Sequence, residues 1–592
     1  MKYHLSLRKI VFGLVLSALP LCAIGKQHLA VDIRGIKGER LDNAKQHLSL
    51  EQQKNNPNLT EIDVGYFIER APSEIKAALE PFGFYDPKIT PRIQRQGDYW
   101  LARFDVNPGS VTRIEGITIS VTGNGKDNPV LHNLTNEFPL KIGDKLNHKS
   151  YEDGKILLLS KVNQKGFLNA KFIQHQIRVD RINRRATIVL NLDTGPRYRF
   201  GELKFNNNFF SPKFLNRFAD FQSGDYFDQI KLINLQNGLM NSDYFQLVDL
   251  KPTFREDENL DIPINVDLTN RPPNKYTFGL GYGTDTGPRG KIGWERRYLN
   301  QYGHKFNINL QASQLQNFAE AIYTIPGQHP SQDKYQAQIS RTEELFYSRY
   351  SNKLQVGVSE NRTLGEWDRI IGIDYQTESF RDREAVVSRR IGLLLPHLRF
   401  SHSTSDDRLN TKEGYKLVFN ALGGIDALLS STNLIQGDLR TKWIHPISTS
   451  NRIILSGEFG ITFADNPENV PLSLRYFAGG DNSIRGFGYQ SLGPMEADGT
   501  GNIVAVGGEG LLLGSVEYVH HIIGNWSAST FLDIGNAFDH FSDFTLEAGT
   551  GAGLRWESPV GPFRLDLAYP LTNGDNGDHG WRFHIQFGPE LS

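Results

Sequence analysis

Cysteine is all but missing: the chain of 592 residues holds one, Cys22, close to its start. Beyond that point neither disulfides nor thiolate metal sites can brace the fold, so packed cores or a membrane must. Long hydrophobic runs are missing too. Past the N-terminus no segment reaches the roughly 18 consecutive apolar residues of a spanning helix. Net charge is equally scarce, formally −1 with a pI near 7.0, which argues against a nucleic-acid binder, marked as that class is by a basic domain or stripe. Catalytic signatures are absent from the sequence: there is no Gly-x-Ser-x-Gly elbow and no His-Glu-x-x-His pair. Gly290-Lys291 is not a phosphate loop, because Asp285 stands where its first glycine is needed. His520 and His521 would face opposite sides of a strand, and Asp406, Asp407 and Glu413 read as a solvated turn. No enzyme, cofactor or metal is expected.

What is present begins with Lys2, Arg8 and Lys9, an apolar run from Ile10 to about Leu21, and small residues at Ala23 and Gly25. This is the layout of a secretory signal peptide over residues 1–25, cut after Ala23 or Gly25 and too short to span a bilayer. Lipidation of Cys22 is the lesser reading, because Leu21 is bulky for the position before a lipidated cysteine. A mean hydropathy of −0.42 suits a soluble exported protein. It also suits a β-barrel, whose strands alternate apolar and polar residues. Periodicity must decide.

From Lys26 to Arg271 one pattern recurs three times, over 26–108, 109–195 and 196–271. Each unit opens on a strand, as in Leu29–Ile33 or Ile114–Ile119, and continues with helical stretches such as Tyr66–Leu79, whose Phe67, Ile68, Ala71, Ile75, Ala78 and Leu79 share a face. A glycine-aromatic step follows: Gly83-Phe84, Gly166-Phe167, then the looser Asp243-Tyr244-Phe245. Two further strands close each unit, the first ending at Pro108-Gly109. The order β-α-α-β-β resembles the polypeptide-transport-associated (POTRA) domain. Such a sheet leaves a strand edge free to capture an extended peptide or to pack on its neighbour.

Arg271-Pro272-Pro273 ends this regime. Over 272–592 the text becomes short alternating strands: Tyr276–Tyr282, Phe306–Leu310, Phe563–Tyr569. In the last, Trp581, Phe583, Ile585 and Phe587 fall on one face and Arg582, His584 and Gln586 on the other. With no helical span and an aromatic final strand, this length suits about 14–18 strands tilted through a bilayer. In that setting the loop Arg475–Phe487, with Gly479, Gly480, Asp481 and Asn482, is more than a surface turn. Phe531–Phe538 carries one acid, Asp533. On the lipid face it would cost several kcal/mol, so it should face the lumen, where Arg485 of that loop could neutralise it.

Ile484-Arg485-Gly486-Phe487 resembles the sixth-loop motif of the BamA/TamA outer-membrane assembly superfamily. Phe531-Leu532-Asp533-Ile534-Gly535 resembles that family's Phe-x-Asp-x-Gly strand, and Gly551–Trp556 with Ser558–Pro562 looks like its penultimate hairpin. Asp407–Gly414 departs from the family by lacking a proline before the glycine. Three repeats and the ending Gly588-Pro589-Glu590-Leu591 look most like the TamA branch, the translocation and assembly module subunit. The resemblance implies a 16-stranded antiparallel transmembrane barrel with an inward-folded loop, in a Gram-negative outer membrane with its POTRA repeats in the periplasm. It also implies insertion of client barrels and autotransporters at a seam between first and last strands, with a TamB-like periplasmic partner. Gly279, Gly281 and Gly283 strip side-chain packing from the first strand and Pro589 ends the last, so the seam is expected to be weak. The alternatives are a two-partner secretion transporter and a passive porin or receptor barrel.

Overall fold

The computed structural model describes residues 28–591, apart from 57, 97–98, 132, 208, 255–259, 286, 347–348, 383–388, 498–500, 502, 560, 575–579 and 589–590. The expected signal peptide with Cys22, and Pro589 and Glu590, lie outside the described residues. Contacts divide the chain into two compact units. One comprises the chain up to Arg199 with 224–229 and 255–262, and the other holds the remainder.

In the first unit His28–Arg34 runs parallel to Tyr99–Asn107, which pairs antiparallel with Lys88–Gln96. The central strand alternates, burying Trp100, Ala102, Phe104 and Val106. Helix Glu61–Leu79 covers them with Val64, Ala71, Ile75, Ala78 and Leu79, at the spacing of one helical face. It starts at a reciprocal cap between Thr60 and Asp63, which satisfies two orphan donors. The second repeat copies the plan with Arg113–Thr122, helix His148–Gln164, Lys171–Asp180 and Arg185–Asp193.

The glycine of the punctuation has a physical cause. Gly83 and Gly166 have φ of 83° and 90°, a left-handed conformation that disfavours other residues. A Cβ on either would also lie 2.7 Å from the Leu146 carbonyl oxygen or 2.6 Å from that of Phe227. The third repeat breaks the rule with Asp243, which holds φ 63° in the corresponding step. Asp tolerates that conformation through its short polar side chain.

The third repeat, most of it in the second unit, carries the sheet Arg199–Asn206, Asp261–Asn270, Phe245–Pro252. Sixteen antiparallel strands follow in sequence order, from Asn274–Gly283 to Arg582–Phe587, forming a nearly closed barrel. Outward positions are apolar and bare: Phe278 is 78% and Leu280 93% exposed, and Val356, Val358, Ile371, Ile373, Leu532 and Ile534 share that face. Inward positions on the same strands are polar, such as Asp374, Gln376 and Glu378. A continuous apolar belt around a polar interior is the pattern of a barrel in hydrocarbon.

The third repeat grips the barrel turn at 297–304. The Tyr244 hydroxyl donates to the Gly303 carbonyl at 2.5 Å, Ser211 N donates to Gln301 O at 3.0 Å, and Lys305 donates to Ser242 O at 2.7 Å. Gly303 is required here, since a Cβ would strike the Phe214 ring. Asp243 accepts from Arg297 Nε at 3.0 Å, with Arg271 and Lys275 at 3.5 and 3.6 Å. Partial burial raises the Asp243 carboxyl, but the Arg297 bond and the charges of Arg297, Lys275 and Lys305 outweigh it and hold the group below its ordinary value. A depressed carboxyl contributes stability above the unfolded value, near pH 4, and loses it as pH falls through the lower folded value. Asp243→Asn keeps the left-handed conformation and removes the charge. Hydrogen exchange at 297–304 is expected to quicken in this variant at neutral pH. The acid-dependent loosening of the wild-type joint below about pH 4 should be absent from it.

Candidate functional site: a buried arginine plug beside an open seam

The loop between strands Asn451–Ala464 and Gly510–Ile523 folds into the barrel. Its apolar residues Tyr476, Ala478, Ile484, Phe487 and Leu492 pack with Leu511 and Ala537 of the wall. Turning back inside the lumen requires positive φ at Gly479, Gly480 and Gly486, of 96°, 104° and 102°.

At the tip, Arg485 lies against four consecutive wall strands, Gly510–Ile523, Trp526–Phe538, Glu547–Ser558 and Gly561–Pro570, and is bonded by three of them, all but Glu547–Ser558. Its Nε and Nη2 donate to both oxygens of Asp533, at 2.7 and 2.9 Å, and its own backbone N–H adds a third bond at 3.1 Å. Nη1 reaches Glu517 at 3.0 Å and Asp566 at 3.1 Å. The guanidinium carbon stands 3.4 Å from the centroid of the Phe531 ring. Arg555 closes the circuit, bonding Glu517 at 2.8 Å and Asp566 at 2.6 Å. Asp533 has no exposed surface, and it also accepts from Ser515 at 2.5 Å. Bidentate arginine-carboxylate pairs of this kind are strong and geometrically selective.

The third of these strands makes room. Gly549, Gly551 and Gly553 stand opposite Asp533, Phe531 and Ser529. A Cβ on Gly549 would lie 1.9 Å from the Arg485 carbonyl oxygen, and one on Gly553 1.8 Å from Asp566 Oδ1. A row of glycines on the inward face thus admits the plug backbone against the wall. A polar cavity of about 620 Å³ adjoins it, lined by Arg485, Asp533, Arg440, Glu458 and Lys416 among others.

The first and last strands form the ends of the strand order, and no ladder joins them among the described residues. The last strand has six residues, the first ten. Phe583 points outward, exposed at 63%, beside Trp581 at 64%, while His584 is buried inward. Ile585 and Phe587 continue the outer face of this strand. On the first strand a Cβ on Gly279 would make an ordinary contact with Lys291 at 3.7 Å, whereas one on Gly281 would crowd Arg289 at 2.7 Å.

Residues 273–590, just over half of the chain, match the Omp85 superfamily domain. The chain belongs to the Omp85 superfamily. Residues 30–108 match the first POTRA domain of TamA. Among curated relatives, the outer membrane protein assembly factor BamA of Nitratidesulfovibrio vulgaris is 26% identical over 398 residues, 63% of this chain and 48% of that protein. The BamA of Neisseria meningitidis serogroup B is 28% identical over 179 residues, 25% of this chain and 22% of that protein. The chain therefore spans at most about half the length of these relatives. The solved BamA of Haemophilus ducreyi lacking POTRA domains 1–3 superposes with a TM-score of 0.66 at 16% identity, covering 81% of this chain and 99% of that one. At that identity the likeness concerns the fold.

Within this Omp85 barrel, the sequence reading singled out Ile484, Arg485, Gly486, Phe487 and Asp533, and the fold brings all five to one place. It missed Glu517, Arg555 and Asp566, which complete the arginine's surroundings, and Gly549, which admits it. Their signal was faint: an inward charge on each of three strands, visible only once the register is known. Gly549→Ala is expected to push the plug off the wall, lowering the thermal transition and exposing 475–492 to protease. Gly290→Ala, whose Cβ meets only Leu280 at 4.0 Å, should change neither.

Proposed function

We propose that this Omp85 chain is an outer-membrane protein insertase, admitting client strands at the seam between its first and last strands. The observation that carries this reading is the unequal seam. Among the described residues, the first strand pairs on one side only, and its neighbour across the seam is short. Backbone groups left unpaired in hydrocarbon forfeit about 4–6 kcal/mol each. A client strand adding to that edge recovers this free energy without a nucleotide, which suits a chain in which no phosphate loop is found. The first-repeat match to TamA supports a place in the TamA branch, with autotransporters and other barrels as clients and a TamB-like periplasmic partner. The names of the BamA relatives support an outer-membrane location, and the same proposal places the repeats on the periplasmic side. A passive porin is disfavoured by the plug, whose apolar and ionic contacts fill one wall of the lumen.

Cysteines at Thr284 and Ile585, where Ile585 N donates to Thr284 Oγ1 at 2.9 Å, test the reading. Oxidation should stop insertion of a client barrel into proteoliposomes, and reductant should restore it. Undiminished insertion by the oxidised protein would remove the seam from the mechanism.

A further inference from the structure

Among the described residues the seam has no ladder, yet its far end, opposite the third repeat, is held by the Ile585–Thr284 bond and by the plug, chiefly through Asp481. Asp481 lies four residues before the buried arginine, in the same loop, and touches both edges. On the first-strand side, the Thr284 hydroxyl lies 2.9 and 3.1 Å from the two Asp481 oxygens, and Asp481 N donates to Asp285 Oδ2 at 2.5 Å. On the last-strand side, His584 Nδ1 lies 2.5 Å from Asp481 Oδ1, and Gln586 donates to the Asp481 carbonyl. Asp481 and His584 are both buried. Gly480 is obligatory beside them, since a Cβ there would sit 2.6 Å from Asp285 Oδ2.

The histidine's tautomer follows from its neighbours. Gly486 N–H donates to His584 Nε2 at 3.0 Å, so that nitrogen carries the lone pair. Nδ1 then carries the proton and donates it to Asp481. His584 thus links the last strand to two points of the plug, Asp481 and the residue after Arg485. The same reasoning weighs against a metal ion held by Asp285, Asp481 and His584, whose ligand atoms lie within 4.8 Å of one another. Ligation through Nδ1 would move the proton to Nε2 and set it against the Gly486 donor.

We propose that Asp481 is a positioning residue for insertion, a clasp joining Thr284 and Asp285 at the end of the first strand to His584 and Gln586 on the last. The role in insertion rests on the insertase reading, but the clasp itself does not. With the clasp intact the seam is closed at this end, and a client strand must displace its bonds to enter. The Arg485 contacts are separate, so the seam can part while the plug stays on the wall.

Spin labels at Tyr282 and Phe587, both on the outer face, report seam separation in bilayers without any client. Asp481→Ala and the isosteric Thr284→Val should raise the separated population about tenfold, the equivalent of one lost hydrogen bond to a charged group. Protease resistance of 484–492 should remain as in wild type, and chelation should leave the wild-type distances unchanged. Wild-type distance distributions in both variants would overturn the clasp. So would release of the plug together with the seam, or opening of the wild-type seam by chelator. If the seam separates in the variants but neither they nor the oxidised cross-seam disulfide alter client insertion, the clasp stands and the insertase reading falls.

Discussion

A single buried cation organises this barrel. Arg485 sits in a lumen wall with three acids and one further arginine within bonding reach, and each component is intelligible only through the others. Asp533, Glu517 and Asp566 on neighbouring strands would repel one another in a low-dielectric wall if Arg485 and Arg555 did not separate them. The glycines at 549, 551 and 553 cost strand packing, and their compensation is the space they leave for the Arg485 backbone, the Phe531 ring and the Asp566 carboxylate. The positive φ values at Gly479, Gly480 and Gly486 exist because the loop must reverse inside the barrel to deliver that cation.

The opposite requirement operates at the seam. A closed barrel leaves no edge in lipid, and among the described residues fifteen of the sixteen strand junctions meet that demand with ladders, two of them interrupted by a bulge. The sixteenth substitutes side-chain bonds through Thr284 and Asp481 for main-chain pairing. Side-chain bonds at one point hold two strands together without committing the full edge. The remainder of the first strand, including Phe278 and Leu280, presents its side chains to the apolar surroundings with a ladder on one side only. Insertion by strand addition needs such an edge, whereas a passive pore gains nothing from it.

Much of the architecture could be read from alternation and punctuation. The period of two over Tyr276–Tyr282 or Arg582–Phe587 separates outward from inward residues before any register is known, and helix Glu61–Leu79 declares its buried face through spacing alone. Arg485 and Asp533 were approachable because a lone acid in an apolar strand and an arginine within a glycine-rich loop each stand out against their surroundings. Glu517, Arg555 and Asp566 were not, because inward charges are ordinary in a water-filled lumen and only the register aligns these three. Asp243 was the most misleading position. It looked like the erosion of a repeat glycine, whereas its carboxylate joins the third repeat to Arg297 of the barrel. Asp481 was similarly disguised, since Asp beside Asn and Gly is the composition of any turn.

Opening could in principle begin at either grip of the plug, and the energetics of the two differ. Withdrawing Arg485 would leave three buried carboxylates facing Arg555 alone, and breaking a buried ion pair by removing one partner costs about 3–5 kcal/mol even where a single acid is stranded. It would also strip the cation from the Phe531 ring and vacate the space over Gly549, which the Arg485 backbone fills and the Ile484 side chain borders. Parting the seam breaks a handful of hydrogen bonds at its far end, each worth about 1.5–3 kcal/mol where a charge is involved, and an entering strand replaces main-chain bonds along the whole edge. In the proposed mechanism the plug is therefore the fixed wall against which the seam would part, and the arginine would serve opening by staying where it is.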